Sequence, residues 1–145
     1  MIGIFHGWGG TKLSLAGTEA QRALARGYAV FTMTDRGWGG SCGVTMRANP
    51  LCAGKGYIRL MHNAYEVRDA QYALGELADD GVIDPQRIGA TGGSYGGGMS
   101  IALGALKTRT QLPDGSLVPG RARSASRCGS PRPSPSSRGA TSPMR

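Results

Sequence analysis

Histidine is scarce in this sequence: there are two in 145 residues, His6 and His62, and none after position 62. No His-x-x-x-His pair exists, and the three cysteines, Cys42, Cys52 and Cys128, never form a Cys-x-x-Cys pair. Imidazole- or thiolate-rich metal centres are therefore excluded, and no metal or cofactor is expected. Apolar runs are short as well. None approaches the roughly 18–20 residues that a bilayer span needs. Met1 leads into "IGIFHG" without a basic region, a long apolar stretch or a small-residue cleavage site. The expectation is a chain with no membrane span and no signal peptide, cytoplasmic as it stands. Secretion would require a different N-terminus.

Acidic residues run out too, since none follows Asp114. The formal charge of +8 is therefore concentrated: residues 120–145 carry six arginines and no acid, whereas residues 1–119 carry 11 basic and nine acidic side chains. Of those last 26 residues, 20 are Gly, Arg, Ser or Pro. Such text has almost nothing apolar to bury and is expected to be a disordered tail. Its arginines could neutralise a few phosphates, which makes a binding module contacting RNA or an anionic surface the alternative function. No aromatic residue interleaves them to stack on bases, so a nucleic-acid partner is set aside. A GC-rich frame translated out of register also yields such text, and a frameshift near Gly120 is the expected origin.

The body is long enough for one core. "IGIF" and "YAVFTM" (Tyr28–Met33) are short β-branched and aromatic runs that read as buried strands. Between them "SLAGTEAQRALARG" favours a helix ending at Gly27. Ala64, Val67, Ala70, Leu74, Leu77 and Ala78 recur at three- and four-residue steps, predicting an amphipathic helix from about His62 to Asp80, stopped by Gly81. A turn at Asp84-Pro85 precedes a third strand near Arg87–Thr91, and "MSIALGALK" reads as a helix buried against a sheet. This alternation predicts an α/β fold of three layers, α/β/α, with a mostly parallel sheet over residues 1–119. Cys42 and Cys52 bracket a short loop; two free thiols are the expectation, with a bridge in an oxidising compartment as the alternative.

Between the third strand and the third helix lies Gly92-Gly93-Ser94-Tyr95-Gly96. Chance alone supplies about 0.3 matches to Gly-x-Ser-x-Gly in so glycine- and serine-rich a chain, so the context carries the weight. A strand before the motif and a helix after it form the arrangement that lifts a nucleophilic serine on a strained turn. Side chains at Gly92 and Gly96 would collide there, and the helix N-terminus faces the serine with unpaired N–H groups. "IFHGWGGTK" (Ile4–Lys12) is a strand, a Gly-rich loop and a helix start. It can aim the N–H of Trp8 at the same oxyanion as the N–H of Tyr95. Neither phosphate-loop pattern fits its glycines.

"HGWGGTK", "DRGWGGSCG" (Asp35–Gly43) and "DPQRIGATGGSYGGGMS" (Asp84–Ser100), in this order, resemble the α/β-hydrolase superfamily. Within it they are most similar to the branch of Xaa-Pro dipeptidyl-peptidases and cocaine-esterase-like acyl hydrolases, over about Ile2 to Pro119. The resemblance implies a partial α/β-hydrolase fold with Ile2–Phe5 between the other two strands. It implies a small-molecule ester or peptide substrate, with Ser94 as nucleophile and Tyr95 and Trp8 as oxyanion donors. Trp8 stands where the cocaine-esterase type carries a tyrosine hydroxyl. Asp35-Arg36-Gly37 reads as a structural loop fixed by ion pairing. The triad order of such folds places acid and then histidine after the serine. Here only Asp114 follows, in a Pro-Asp-Gly turn, and no histidine. His6 is read as holding its loop, and His62 as a solvated residue at a helix start. The chain is thus expected to be an inactive, N-terminal portion of a serine hydrolase, its first strands also missing.

Overall fold

Ile2–Phe5 is the central strand, β1, and its extended, mostly apolar residues are buried from Gly3 onward. The computed structural model describes residues 1–54, 56–112 and 114–119; the arginine-rich tail and Cys128 lie outside the described residues. β1 is followed by α1 (Thr18–Leu24), β2 (Val30–Met33), α2 (Glu66–Asp79), β3 (Gly89–Gly92), α3 (Tyr95–Leu106), β4 (Arg109–Gln111) and β5 (Leu117–Pro119). The first three strands form a parallel sheet in the order β2-β1-β3, in which Ile2 pairs with both Val30 and Gly89 and Phe5 with both Met33 and Gly92. This is the partial α/β-hydrolase arrangement, with the expected strand at its centre.

Chain direction across the sheet reverses between the two crossovers. Right-handed connections then place α1 on one face and α2 on the other. Burial agrees with this. Phe5 packs with Val67, Ala70, Tyr95, Met99 and Leu103 of α2 and α3 in one cluster, while Ile4, Ala20 and Ala23 are buried outside it. Side chains alternate along a strand, so Phe5 and Ile4 serve opposite faces. Gly27 and Gly81 end α1 and α2 as read from the sequence, each at positive φ (79° and 73°) with its N–H on a carbonyl of the preceding turn, Leu24 and Ala78.

Several details differ from expectation: β2 and β3 begin at Val30 and Gly89 rather than at Tyr28 and Arg87. α2 starts at Glu66 rather than His62, because Leu60 and Met61 are left-handed (φ 56° and 58°) and the Glu66 carboxylate accepts the N–H groups of Arg59 and His62. α3 starts at Tyr95, immediately after the serine turn, so its first turn is built from glycine. The Asp114 turn sits in an antiparallel hairpin, β4–β5, of three residues a side. Cys42 and Cys52 form a disulfide, with Cα atoms 5.4 Å apart, in place of the expected thiols. Consecutive turns (Met46 N–H to Gly43 O, Asn49 N–H to Met46 O, Cys52 N–H to Asn49 O) coil the intervening loop back on itself. Among the described residues no helix is long and apolar enough to cross a membrane.

Candidate active site

Ser94 occupies the turn between β3 and α3 at φ 53°, ψ −118°, a conformation that L-residues rarely adopt. Holding a serine there costs on the order of 1–3 kcal/mol and requires a surrounding structure that over-determines it. Two glycines supply that structure. A Cβ on Gly92 would lie 2.5 Å from the Phe5 carbonyl oxygen and 2.7 Å from the Gly96 carbonyl carbon. One on Gly96 would fall on the Phe5 carbonyl and 2.9 Å from the His6 oxygen. The end of β1 therefore touches the start of α3 backbone to backbone, and the chain between them must bend sharply.

The bend leaves the serine side chain available. Ser94 is exposed and sits at the N-cap position, yet its hydroxyl makes no capping bond and has no hydrogen-bond partner among the described residues. The N–H groups of Tyr95 and Trp8 likewise donate to nothing among the described residues. The Tyr95 side chain is buried, and its hydroxyl accepts the Met61 N–H at 3.3 Å. Burial, reinforced by the Glu66 carboxylate, pushes that phenol up to about 12. Any part Tyr95 plays in chemistry falls to its backbone. The Trp8 ring is 59% exposed and packs edge-on against Trp38 at 4.8 Å and Tyr95 at 5.8 Å. Gly7, beside it, faces the Gly93 carbonyl, so the β1 loop and the serine turn adjoin.

Both histidines are engaged elsewhere. His6 is buried, with Nδ1 2.8 Å from the Gly7 oxygen and Nε2 accepting the Asp35 N–H at 3.0 Å. Both ring nitrogens are thereby used, and the ring joins the loop after β1 to the loop after β2. His62 is exposed, and its Nδ1 accepts the Ala64 N–H at 3.0 Å ahead of α2. Asp114 accepts the N–H and hydroxyl of Ser116 in the β4–β5 turn, which hold its carboxyl below the usual range. None of the three is a partner of Ser94.

Asp35 and Arg36 behave differently from each other. Arg36 makes the expected ion pair, but with Asp69 on α2, through Nε to Oδ2 at 2.6 Å and Nη2 to Oδ1 at 2.5 Å. Asp35 is fully buried, and neither carboxylate oxygen has a hydrogen-bond partner among the described residues. Oδ2 lies 3.6 Å from His6 Nε2, beyond hydrogen-bonding reach. Desolvation pushes the carboxyl up to about 6, with the His6 ring opposing and Glu66 and Asp69 adding to the rise. Sequence reasoning passed over Trp38 and Glu66. The N-cap residue Tyr65 makes no side-chain capping bond, and the Asn63-x-x-Glu66 spacing ahead of the apolar run was the sequence's hint of a helix start there.

Two grooves lie away from the serine, around the disulfide loop; neither is lined by Ser94, Tyr95 or Trp8. Among the described residues no three His, Cys, Asp or Glu side chains gather as metal ligands. The prolyl oligopeptidase family matches residues 54–111, a stretch that contains α2, β3, Ser94 and α3. Comparison with curated proteins and with solved structures finds no match. The chain is thus similar to the prolyl oligopeptidase family over its serine-bearing segment, within a partial α/β-hydrolase fold.

Proposed function

We propose that this chain carries the nucleophile and oxyanion donors of a serine hydrolase acting on esters or on peptides of the Xaa-Pro type, and that it does not turn over by itself. The observation that carries this reading is Ser94 at φ 53° in a Gly-x-Ser-x-Gly turn, with an unengaged hydroxyl ahead of the α3 N-terminus. In the reaction, Ser94 Oγ attacks the acyl carbonyl and its oxygen becomes an alkoxide. The N–H groups of Tyr95 and Trp8 and the positive end of α3 stabilise that alkoxide. The hydroxyl proton must leave as the bond forms, and a general base has to take it. His6 and His62 are the sequence's only imidazoles: both ring nitrogens of His6 are engaged, and His62 lies at the head of α2 with Nδ1 on the Ala64 N–H, neither bonded to Ser94. The nucleophile is therefore shaped but not activated, and loss of one triad member removes most of the acceleration.

A tetrahedral boronate mimics the attacked carbonyl and tests the shape without requiring turnover. Phenylboronic acid at about pH 6, where the free acid is trigonal, should give a protein-bound tetrahedral boron NMR signal with the chain and none with Ser94→Ala. A dipeptide boronic acid ending in boroproline that binds more tightly than phenylboronate favours the peptidase substrate; the reverse order favours the esterase. An adduct that persists in Ser94→Ala sinks the assignment of the nucleophile.

A further inference from the structure

A groove of about 520 Å³ opens where the disulfide loop meets the start of α2, and its charged wall is formed by Arg36, Arg59 and Asp69 beside the Tyr65 ring. The two arginines are not equivalent. Arg36 grips Asp69 with two parallel bonds, so that acid is used up. Arg59 has no carboxylate within ion-pair distance among the described residues. Its side chain makes one long contact, Nη1 to the Tyr57 oxygen at 3.4 Å. Both oxygens of the nearby Glu66 accept backbone N–H groups, of Arg59 and His62.

The Arg59 guanidinium is nevertheless fixed. It lies 3.8 Å from the centroid of the Tyr57 ring and 3.9 Å from that of Tyr65, clamped between them. Stacking of this kind immobilises the fork before any ligand arrives, so that binding loses less side-chain entropy. Among the described lining residues Arg36 and Asp69 cancel, which leaves the single positive charge of Arg59. A monoanion matches it, and Asp69 disfavours a dianion. The rest of the wall, Cys42, Gly54 and Gly56 with the Ser41 hydroxyl, is mostly apolar and suits a carbon body.

We infer that this groove binds a small organic carboxylate, gripped in the plane of the Arg59 guanidinium, which offers the parallel donors a carboxylate accepts. The inference does not depend on the catalytic reading of Ser94. Benzoate is the probe, titrated into the full 145-residue chain while the Arg59 Nε–H resonance is followed by NMR. A saturable shift with a Kd of roughly 1–10 mM is expected for a single charged contact with a partly apolar body. Arg59→Met, which keeps the stem and loses the fork, should weaken binding at least about tenfold. Asp69→Asn, which removes the opposing charge, should tighten it severalfold. The wild-type shift needs no variant, so a misfolded Arg59→Met leaves the test intact. Absence of saturation, unchanged affinity in a folded Arg59→Met, or tighter binding of inorganic phosphate than of benzoate would each overturn the assignment.

Discussion

Ser94, Gly92 and Gly96 show how three residues share one constraint: the glycines let two backbones touch, and the contact forces the serine to positive φ. Replacing the serine with glycine removes the strain while adding backbone entropy to the unfolded chain. Ser94→Gly should therefore raise stability by about 1 kcal/mol, and Ser94→Ala should leave it unchanged, in urea unfolding. Gly96→Ala places a methyl on the Phe5 carbonyl and should cost on the order of 2–3 kcal/mol in the same assay. Asp35 offers a test in pH. Its pKa in the folded chain, about 6, exceeds the ordinary 3.8, so its stability is fully present below about pH 4 and is lost as pH rises through 6. Asp35→Asn should consequently be the more stable form at pH 8, by on the order of 1–3 kcal/mol, with the difference closing toward pH 4. The opposite trend would show that a partner stabilises the carboxylate. At this scale the two glycines were legible because a small-residue requirement is written directly in the motif. Asp35 was not, since nothing local in "TDRGWGG" distinguishes a buried carboxylate from a solvated one.

Elements with strong periodicity or turn chemistry were legible to within a few residues. β1 and β2 announced themselves by apolar runs, α1 and α2 by their glycine stops, and the strand order by its resemblance to a known arrangement. What failed was decided by contacts distant in sequence. The start of α2 depends on Glu66 reaching back to Arg59 and His62 and on Tyr95 accepting the Met61 N–H. The β4–β5 hairpin has three residues a side and includes Pro119, too short for alternation to declare it. The disulfide depended on the intervening turns, which spacing alone does not determine. Closing a loop of this size restricts the unfolded chain, so reduction should lower stability by about 2–3 kcal/mol; dithiothreitol should depress the thermal midpoint, and Cys42→Ser should abolish that sensitivity. An unchanged midpoint would mean that the loop is held by its hydrogen bonds alone.

The whole molecule sets Ser94 on a strained turn at the end of a three-stranded parallel sheet, with His6 tied into two loops and His62 bonded to Ala64 ahead of α2. His6 is the clearest instance of division of labour: its ring ties the loop carrying Trp8 to the loop carrying Trp38, and the same bonds that make it a good fastener make it unavailable as a base. β2 and β3 lie at the two edges of that sheet, and the α3 residue Ile101 is 76% exposed, an arrangement that invites association at high concentration. Steady-state hydrolysis of p-nitrophenyl acetate by the purified 145-residue chain, beside its Ser94→Ala variant, tests the central claim most directly. The account predicts the same slow background rate for both, because neither histidine is hydrogen-bonded to Ser94 to take its proton. Turnover by the wild-type chain well above that of Ser94→Ala would contradict it, and His6→Gln would then show whether that ring had served as the base.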